Sequence, residues 1–325
     1  LRMKCCGARM MRPELVIRAV GLYWPLLALV ALAGWLRPGY YLRVGVLLGL
    51  CWNLAVLPIV GWYCVEQGWW AFETEGPVVL GMPLELYLGW AVWWGGVLPL
   101  LASRLRSVVV QVVLVTVLAA GVDAVAMPQM GPVLRLAENW WWGEALLLGT
   151  GLWPGALVVF WTAKRQGLVG RVLVQAGTFS VGLFVLVPCL EAGGWAWLAA
   201  FDRPGWMVAG FAVVVAALGA LGGAAVWEFV RRGAGTPVPF DPPQRLVTTG
   251  VYAWLANPMQ VAMTGLLLGW GLWFGLWWLV VLAGLGVVYA EGLARWSEAE
   301  DLRARYGEEW LEYRSRVGRW WPGRR

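Results

Sequence analysis

Residues 258–290 read PMQVAMTGLLLGWGLWFGLWWLVVLAGLGVVYA, and none of them is charged. At 1.5 Å per residue a single helix over this stretch would be about 50 Å long. That is too long for one crossing of a hydrocarbon core of roughly 30 Å, and short for two full crossings with a loop. The stretch therefore predicts a tight hairpin of two helices turning near Gly271–Gly275. Gly265 and Gly269 have the small-residue spacing that lets two helix backbones approach closely. The uncharged sequence reaches back to Arg245 and ends abruptly at Glu291.

Working outward from the hairpin, the rest of the chain has the same character. Of 325 residues 60% are hydrophobic, only 14% are charged, and 27 are tryptophan. A soluble chain carries about 25% charged residues. Further apolar runs at about 19–36, 44–63, 78–102, 107–127, 145–163, 172–190 and 206–229 are each long enough to span. The expected fold class is all-α, a multi-pass transmembrane helical bundle of about 8–9 membrane helices including the C-terminal hairpin. A charged, helix-forming segment follows from Glu291 to Tyr306. Leu302, Tyr306 and Trp310 recur every four residues along it, so the last membrane helix is expected to continue out of the bilayer as a cytoplasmic helix.

The loops at 37–43, 103–107, 164–171 and 230–245 hold ten Arg or Lys, whereas 64–77, 128–144 and 190–205 hold only Arg135 and Arg203. Positive charge favours the cytoplasmic side, which puts the C-terminus there. This fits a multi-pass integral membrane protein, with a bacterial inner membrane as the expected location. Trp69, Trp70, Trp140, Trp141, Trp142, Trp195 and Trp197 fall on the opposite side, as an aromatic belt would. The N-terminal basic residues conflict with this scheme if 19–36 spans; spanning is nevertheless the expected state, with a re-entrant or surface-lying segment, broken at Pro25, the alternative.

The net charge of +6 is scattered over short loops and the two ends. It suits anionic lipid headgroups and gives no nucleic-acid signature. The chain has no histidine, which removes every imidazole-based triad, dyad or metal site. The five cysteines form no metal-ligand pattern; the adjacent Cys5 and Cys6 are read as inert, with acylation the alternative. Polar residues inside spans are few. Glu85 and Asp123 are expected to be solvated or paired, with a proton relay the alternative, and Asn53 and Gln111 to bond between helices. Gly219–Gly223 reads as close helix packing, without the strand a nucleotide loop requires.

Chemistry concentrates after Gly235. A proline-stiffened loop, 235–243, leads into Gln244-Arg-Leu-Val-Thr-Thr-Gly250-Val-Tyr252-Ala-Trp-Leu-Ala-Asn257-Pro258-Met-Gln260. Pro258 suits the first turn of a helix, and a helix N-terminus favours an anionic group. The residues alone suit a polar pocket at the cytoplasmic mouth, between this segment, the hairpin and the helix bearing Glu298, with plain loop packing the alternative.

The block Leu246–Pro258, followed across the hairpin by Glu298-Ala-Glu-Asp-Leu302-Arg-Ala-Arg-Tyr306-Gly307-Glu-Glu-Trp-Leu-Glu-Tyr313-Arg-Ser-Arg-Val317, resembles the C-terminal region of the isoprenylcysteine carboxyl methyltransferase family. The resemblance covers about residues 235–322. It implies an integral membrane methyltransferase that uses S-adenosylmethionine and acts on a lipid or lipidated, hydrophobic acceptor from the bilayer, with carboxyl O-methylation as the reaction. It further implies an N-terminal membrane region of unassigned role, 1–203, and a catalytic domain, 204–325. Position by position, the cofactor contacts fall on Gln244, Arg245, Leu246, Val247, Tyr252, Asn257, Pro258, Met259, Gln260 and Glu298, and the catalytic roles on Asn257, Glu298 and Arg295. The chain departs from the family pattern at Ala256, Gln260, Ala294 and Ala299.

Methyl transfer from a sulfonium to a carboxylate needs no general base, which is compatible with the absence of histidine. An amine or phenol acceptor would need one, and Glu298 or Tyr252 are then the candidates. Two other readings remain open at this point: a membrane reductase of the steroid-reductase kind, which would bind NADPH, and a non-catalytic transporter or scaffold.

Overall fold

The structure is a computed structural model that describes residues 13–73, 76–236, 238 and 244–322; the side chains of Leu293, Ala294, Ser297 and Glu298 fall outside the description. Seven helices are long and apolar enough to cross a membrane: α1 (Pro13–Leu36), α2 (Tyr40–Glu66), α3 (Leu84–Ala102), α4 (Val108–Met130), α5 (Trp141–Ala163), α6 (Leu168–Ala192) and α7 (Gly205–Gly233). The hairpin adds α8 (Pro258–Phe274) and α9 (Trp277–Tyr289). A π-helical turn over Ala290–Ala294 then leads into α10 (Arg295–Arg316). The all-α multi-pass class is as expected. The run 78–102 is corrected at its start: Val78–Val79 and Met82–Pro83 form a short hairpin, and α3 begins at Leu84. Gly81, in that turn, has a φ of +80° that ordinary residues avoid.

The helices group into two compact units. The first runs to Gly167 and takes up Val174–Gly194; the second holds Leu168–Leu173 and the chain from Trp195. In the first unit, Trp94, Leu98, Leu152, Ala156, Val159 and Phe160 are fully buried among α2, α3 and α5. Without a hydrophobic force between helices inside lipid, close backbone approach carries the packing. A Cβ on Gly45 would lie 2.7 Å from the Val159 carbonyl oxygen, so α2 and α5 touch backbone to backbone. A Cβ on Gly89 would overlap the Gly21 carbonyl at 1.9 Å, which fixes the contact of α1 with α3.

Strand Trp70–Phe72 pairs antiparallel with Leu134–Leu136, so the loop after α2 and the loop after α4 lie at one end of this unit. Arg18 donates to both oxygens of Glu85, at 2.8 and 2.9 Å, and thereby ties the start of α1 to the start of α3. Helix α1 packs along the whole of α3. Glu85 is paired, one of the two expected states. Asp123 is deeply buried and accepts from Trp90 Nε1 at 3.3 Å. Gln111 bonds between helices as expected, donating to the Ala102 carbonyl at 3.1 Å. Asn53 departs from expectation: its amide turns back to Gly49 in its own helix, at 2.9 Å. Trp70 is core rather than belt, whereas Trp141 and Trp142 are exposed.

In the second unit α7 packs along α8, with Gly222 facing Ala262. Phe211 stacks on Trp273 at 4.3 Å, and the Arg203 guanidinium sits 4.5 Å from the Trp273 ring. These contacts close the end of α7 and α8 away from the motif blocks. The hairpin turns where expected, at Gly275, whose φ of +71° caps α8. Its glycine seam is corrected. A Cβ on Gly265 would meet Leu218 of α7, one on Gly269 would meet nothing within 4 Å, and one on Gly271 would lie 2.8 Å from Val280 of α9. Gly271 is therefore the contact between the two arms. Cys5, Cys6 and most of the 235–243 loop lie outside the described residues.

Candidate functional site

The two motif blocks come together where the apolar hairpin gives way to charge. Asn257 precedes α8 with Pro258 in the first helical turn, so the α8 N-terminus is formed as the sequence implies. The Asn257 side chain makes no capping bond to its own helix. With its amide oxygen facing Arg319, it accepts from Nε at 3.0 Å. The same Nε lies 2.8 Å from Glu291 Oε1, and Arg319 Nη2 donates to the Ala290 carbonyl at 2.6 Å. Trp320 Nε1 also donates to Glu291 Oε1, and Arg295 Nη1 reaches Glu291 Oε2 at 3.1 Å.

The backbone completes this junction. Ala256 N–H donates to the Gly318 carbonyl at 2.8 Å, and Asn257 N–H to that of Arg319 at 3.3 Å. The chain after α10 therefore runs back beside the entrance to α8. Gly307, at φ 53° and ψ −125°, supplies the kink in α10 that permits the return. The Tyr313 hydroxyl donates to the Tyr252 carbonyl at 2.9 Å and clamps the first block beneath α10. Burial holds the Tyr313 phenol above its ordinary pKa, so the group stays a neutral donor.

These contacts enclose a cavity of about 680 Å³. Among its lining residues are Asn257 from the first block, Arg295, Ala299, Leu302 and Trp310 from α10, and Arg319 beyond it. Val287 of α9 gives one wall an apolar surface. Glu291 is the carboxylate of the cavity among the described residues, set against Arg295, Arg314 and Arg319. Arg314 lies 5.0 Å over the Trp310 ring. The cavity therefore combines surplus positive charge with indole faces.

Of the residues expected at the site, Asn257 and Arg295 line this cavity. Glu298 is a backbone position of α10 between Arg295 and Ala299; its side chain falls outside the description. Among the described residues Gln244, Arg245, Leu246, Val247, Tyr252, Pro258, Met259 and Gln260 do not line it. Val247 and Tyr252 are buried instead in a small core with Ala225, Phe229 and Met259. Burial, with Tyr313 and Glu228 nearby, raises the Tyr252 phenol well above its ordinary value, and the ring is out of reach of the cavity. Gln244 N–H donates to the Gly233 carbonyl at 2.7 Å, which returns this segment to the end of α7.

Four residues of the arrangement were not singled out in the sequence. Glu291 and Arg319 form its ionic centre, Trp320 buttresses Glu291, and Glu228 accepts from Thr249 Oγ1 at 2.6 Å. Glu291 had a signal, as the first charge after a long uncharged run. Gly250 is explained by Glu228: its φ is +58°, and a Cβ there would lie 2.7 Å from the Glu228 carboxyl.

A model of the phospholipid methyltransferase family matches residues 207–309, a little under a third of the chain. The matched region begins in α7, contains the hairpin and both blocks as far as Glu309, and stops before Arg319. No curated protein and no solved structure matches the chain. The chain is thus similar, over residues 207–309, to a family of membrane methyltransferases related to the one its motifs resemble, on a scaffold of helices suited to a bilayer.

Proposed function

We propose that the protein is an S-adenosylmethionine-dependent methyltransferase acting on a lipid or lipidated acceptor, with residues 204–325 as its catalytic domain. The observation that carries this reading is that both motif blocks contribute to one cavity, Asn257 from the first and Ala299, Leu302 and Trp310 from the second, with Arg295 just ahead of it. The phospholipid methyltransferase match over residues 207–309 supports it independently.

The lining residues suit the cofactor's parts. Its carboxylate calls for a cation, for which Arg295 and Arg314 are available, and its adenine calls for an apolar face, for which Trp310 is available. The volume falls within the range of small-molecule sites. When bound, S-adenosylmethionine supplies a methyl group on a sulfonium.

The chain's own residues then position and shield. Arg319, held by Glu291 and Asn257, fixes the α8 N-terminus against the end of α10. Val287 and Leu302 keep the acceptor side water-poor, which favours in-line displacement without a proton shuttle. A carboxylate acceptor needs no base, so carboxyl O-methylation is the reaction we favour. Glu298 is the base we assign for an amine acceptor, because Tyr252 stands outside the cavity.

Equilibrium binding to the purified full chain tests the reading. Labelled S-adenosylmethionine is expected to bind saturably and to be displaced by S-adenosylhomocysteine, but not by NADPH. Binding of NADPH in its place would favour the reductase reading, and binding of neither would favour a non-catalytic protein.

A further inference from the structure

The first unit contains a second cavity, remote in sequence from both motif blocks. It lies among α1, α3 and α4, has a volume of about 450 Å³, and is lined by Trp24, Trp90, Trp93, Met127 and Asp123 among others. Trp24 is 63% exposed on the outer face of α1, so the cavity has an opening on the surface that faces lipid. Asp123 is 3% exposed. Its Oδ1 accepts from Trp90 Nε1, but Oδ2 has no hydrogen-bond partner.

Behind Asp123 stands a second acid. Glu144 of α5 is 8% exposed and stands close enough to Asp123 for the two carboxyl groups to share one proton, and its Oε1 has no other partner. Among the described residues neither acid forms an ion pair. Arg18 is engaged with Glu85 at 2.8 Å. A carboxyl group left without a cation in apolar surroundings is costly, and intramembrane acids of this kind mark sites. Aromatic faces around such a group favour an ammonium ion, which gains from both the carboxylate and the rings.

We propose that this cavity binds the ammonium headgroup of a membrane amphiphile, with Asp123 as the counter-charge and Trp24, Trp90 and Trp93 as the aromatic wall. Glu144 holds Asp123 from behind, and the alkyl chain leaves past Trp24 along α1. The site belongs to the first unit alone and does not rest on the methyltransferase reading. A failure of cofactor binding in the second unit leaves it unaffected.

The test uses the full chain in phosphatidylcholine nanodiscs and tritiated dodecylamine, measured above its partition into empty discs. One saturable equivalent is expected, not displaced by dodecanol or dodecyl sulfate. Asp123→Asn, which keeps the shape of the side chain, should weaken binding at least tenfold with an unchanged unfolding transition. Displacement by dodecanol would reduce the cavity to an unselective lipid groove and overturn the proposal. Undiminished binding by Asp123→Asn would do the same, leaving the acids as a proton-sharing pair. Should Asp123→Asn fail to fold, Trp24→Ala decides: its exposed ring is not core, and its loss should weaken dodecylamine binding at least threefold, whereas no change overturns the proposal.

Discussion

Glu291 and Arg319 meet at 2.8 Å at the point where the apolar hairpin ends and the charged helix begins. Their side chains are 35% and 22% exposed, so the pair is partly shielded and further tied by Trp320, Ala290 and Asn257. A lone surface pair is worth little, but one that anchors several hydrogen bonds contributes more. Arg319→Ala should destabilise the protein by about 1–2 kcal/mol. The same change should release the C-terminal segment, seen as faster amide exchange at Ala256 and Asn257. Unchanged exchange there would show that the backbone pairing holds without the guanidinium.

Asn257 offers a separation of roles. Its side chain does not cap α8, so its removal should leave helix stability nearly intact. It does face Arg319 on the cavity wall. Arg319 keeps Glu291 and the Ala290 carbonyl as partners without it, whereas one hydrogen bond lost to a cofactor in the cavity costs about 1.5 kcal/mol, roughly tenfold in affinity. Asn257→Ala should therefore weaken S-adenosylmethionine binding at least tenfold, with an unfolding midpoint close to that of the parent. A large loss of stability with unaltered affinity would reassign the residue to the scaffold.

Glu298 and Glu308 make a matched pair on α10. Glu298 shares a turn with Arg295 and Ala299, which line the cavity, whereas Glu308 is exposed beyond Gly307. Glu298→Gln is expected to weaken cofactor binding tenfold to a hundredfold, and Glu308→Gln to leave it unchanged. Equal effects in an equilibrium binding assay would count against the cavity as the cofactor site.

The legible part of this chain was what periodicity, length and charge encode. The seven spans, the hairpin turn at Gly275 and the Pro258 start of α8 follow from apolar length and from two residues with fixed backbone preferences. The site was legible only in part. Asn257 and Arg295 reach the cavity, while Val247 and Tyr252, in the same motif, fold into a small core. Motif membership does not say which side of a loop a residue faces. Arg319 was hidden because its role depends on the return of the chain after the Gly307 kink, which local sequence does not encode. Asp123 is paired by a hydrogen bond rather than solvated, because a residue near a helix end meets water only if the neighbouring loop leaves it open. Here Trp90 and the Glu144 end of α5 cover it.

Sidedness rests on the basic loops. Asn139 and Ser315 are both exposed and flank opposite ends of the proposed topology. In cells expressing a cysteine-free parent, Asn139→Cys should react with a membrane-impermeant maleimide from outside, and Ser315→Cys only after permeabilisation. Reaction of Ser315→Cys in intact cells would reverse the orientation and place the cavity on the external face.

The hairpin glycines give the sharpest contrast, because reading and structure choose different residues. Spacing alone selects Gly265 and Gly269, but a stripe of small residues does not reveal its partner. The α7 side chain of Leu218 receives Gly265, and a flexible leucine tip can move aside. Gly269 faces open space. Gly271 is enclosed by Val280 at 2.8 Å and by the Leu276 carbonyl at 3.1 Å, so a side chain there must push α8 from α9 next to their turn. Overpacking of this kind costs about 1–3 kcal/mol. Gly271→Leu should lower the unfolding midpoint and weaken cofactor binding, since α8 carries Asn257 and α9 leads to Glu291 at the far end. Gly269→Leu should insert, fold and bind like the parent. If Gly269→Leu were the damaging substitution, the helix would have to be rotated about its axis from the packing described, and the wall contributed by Val287 would need to be reassigned with it.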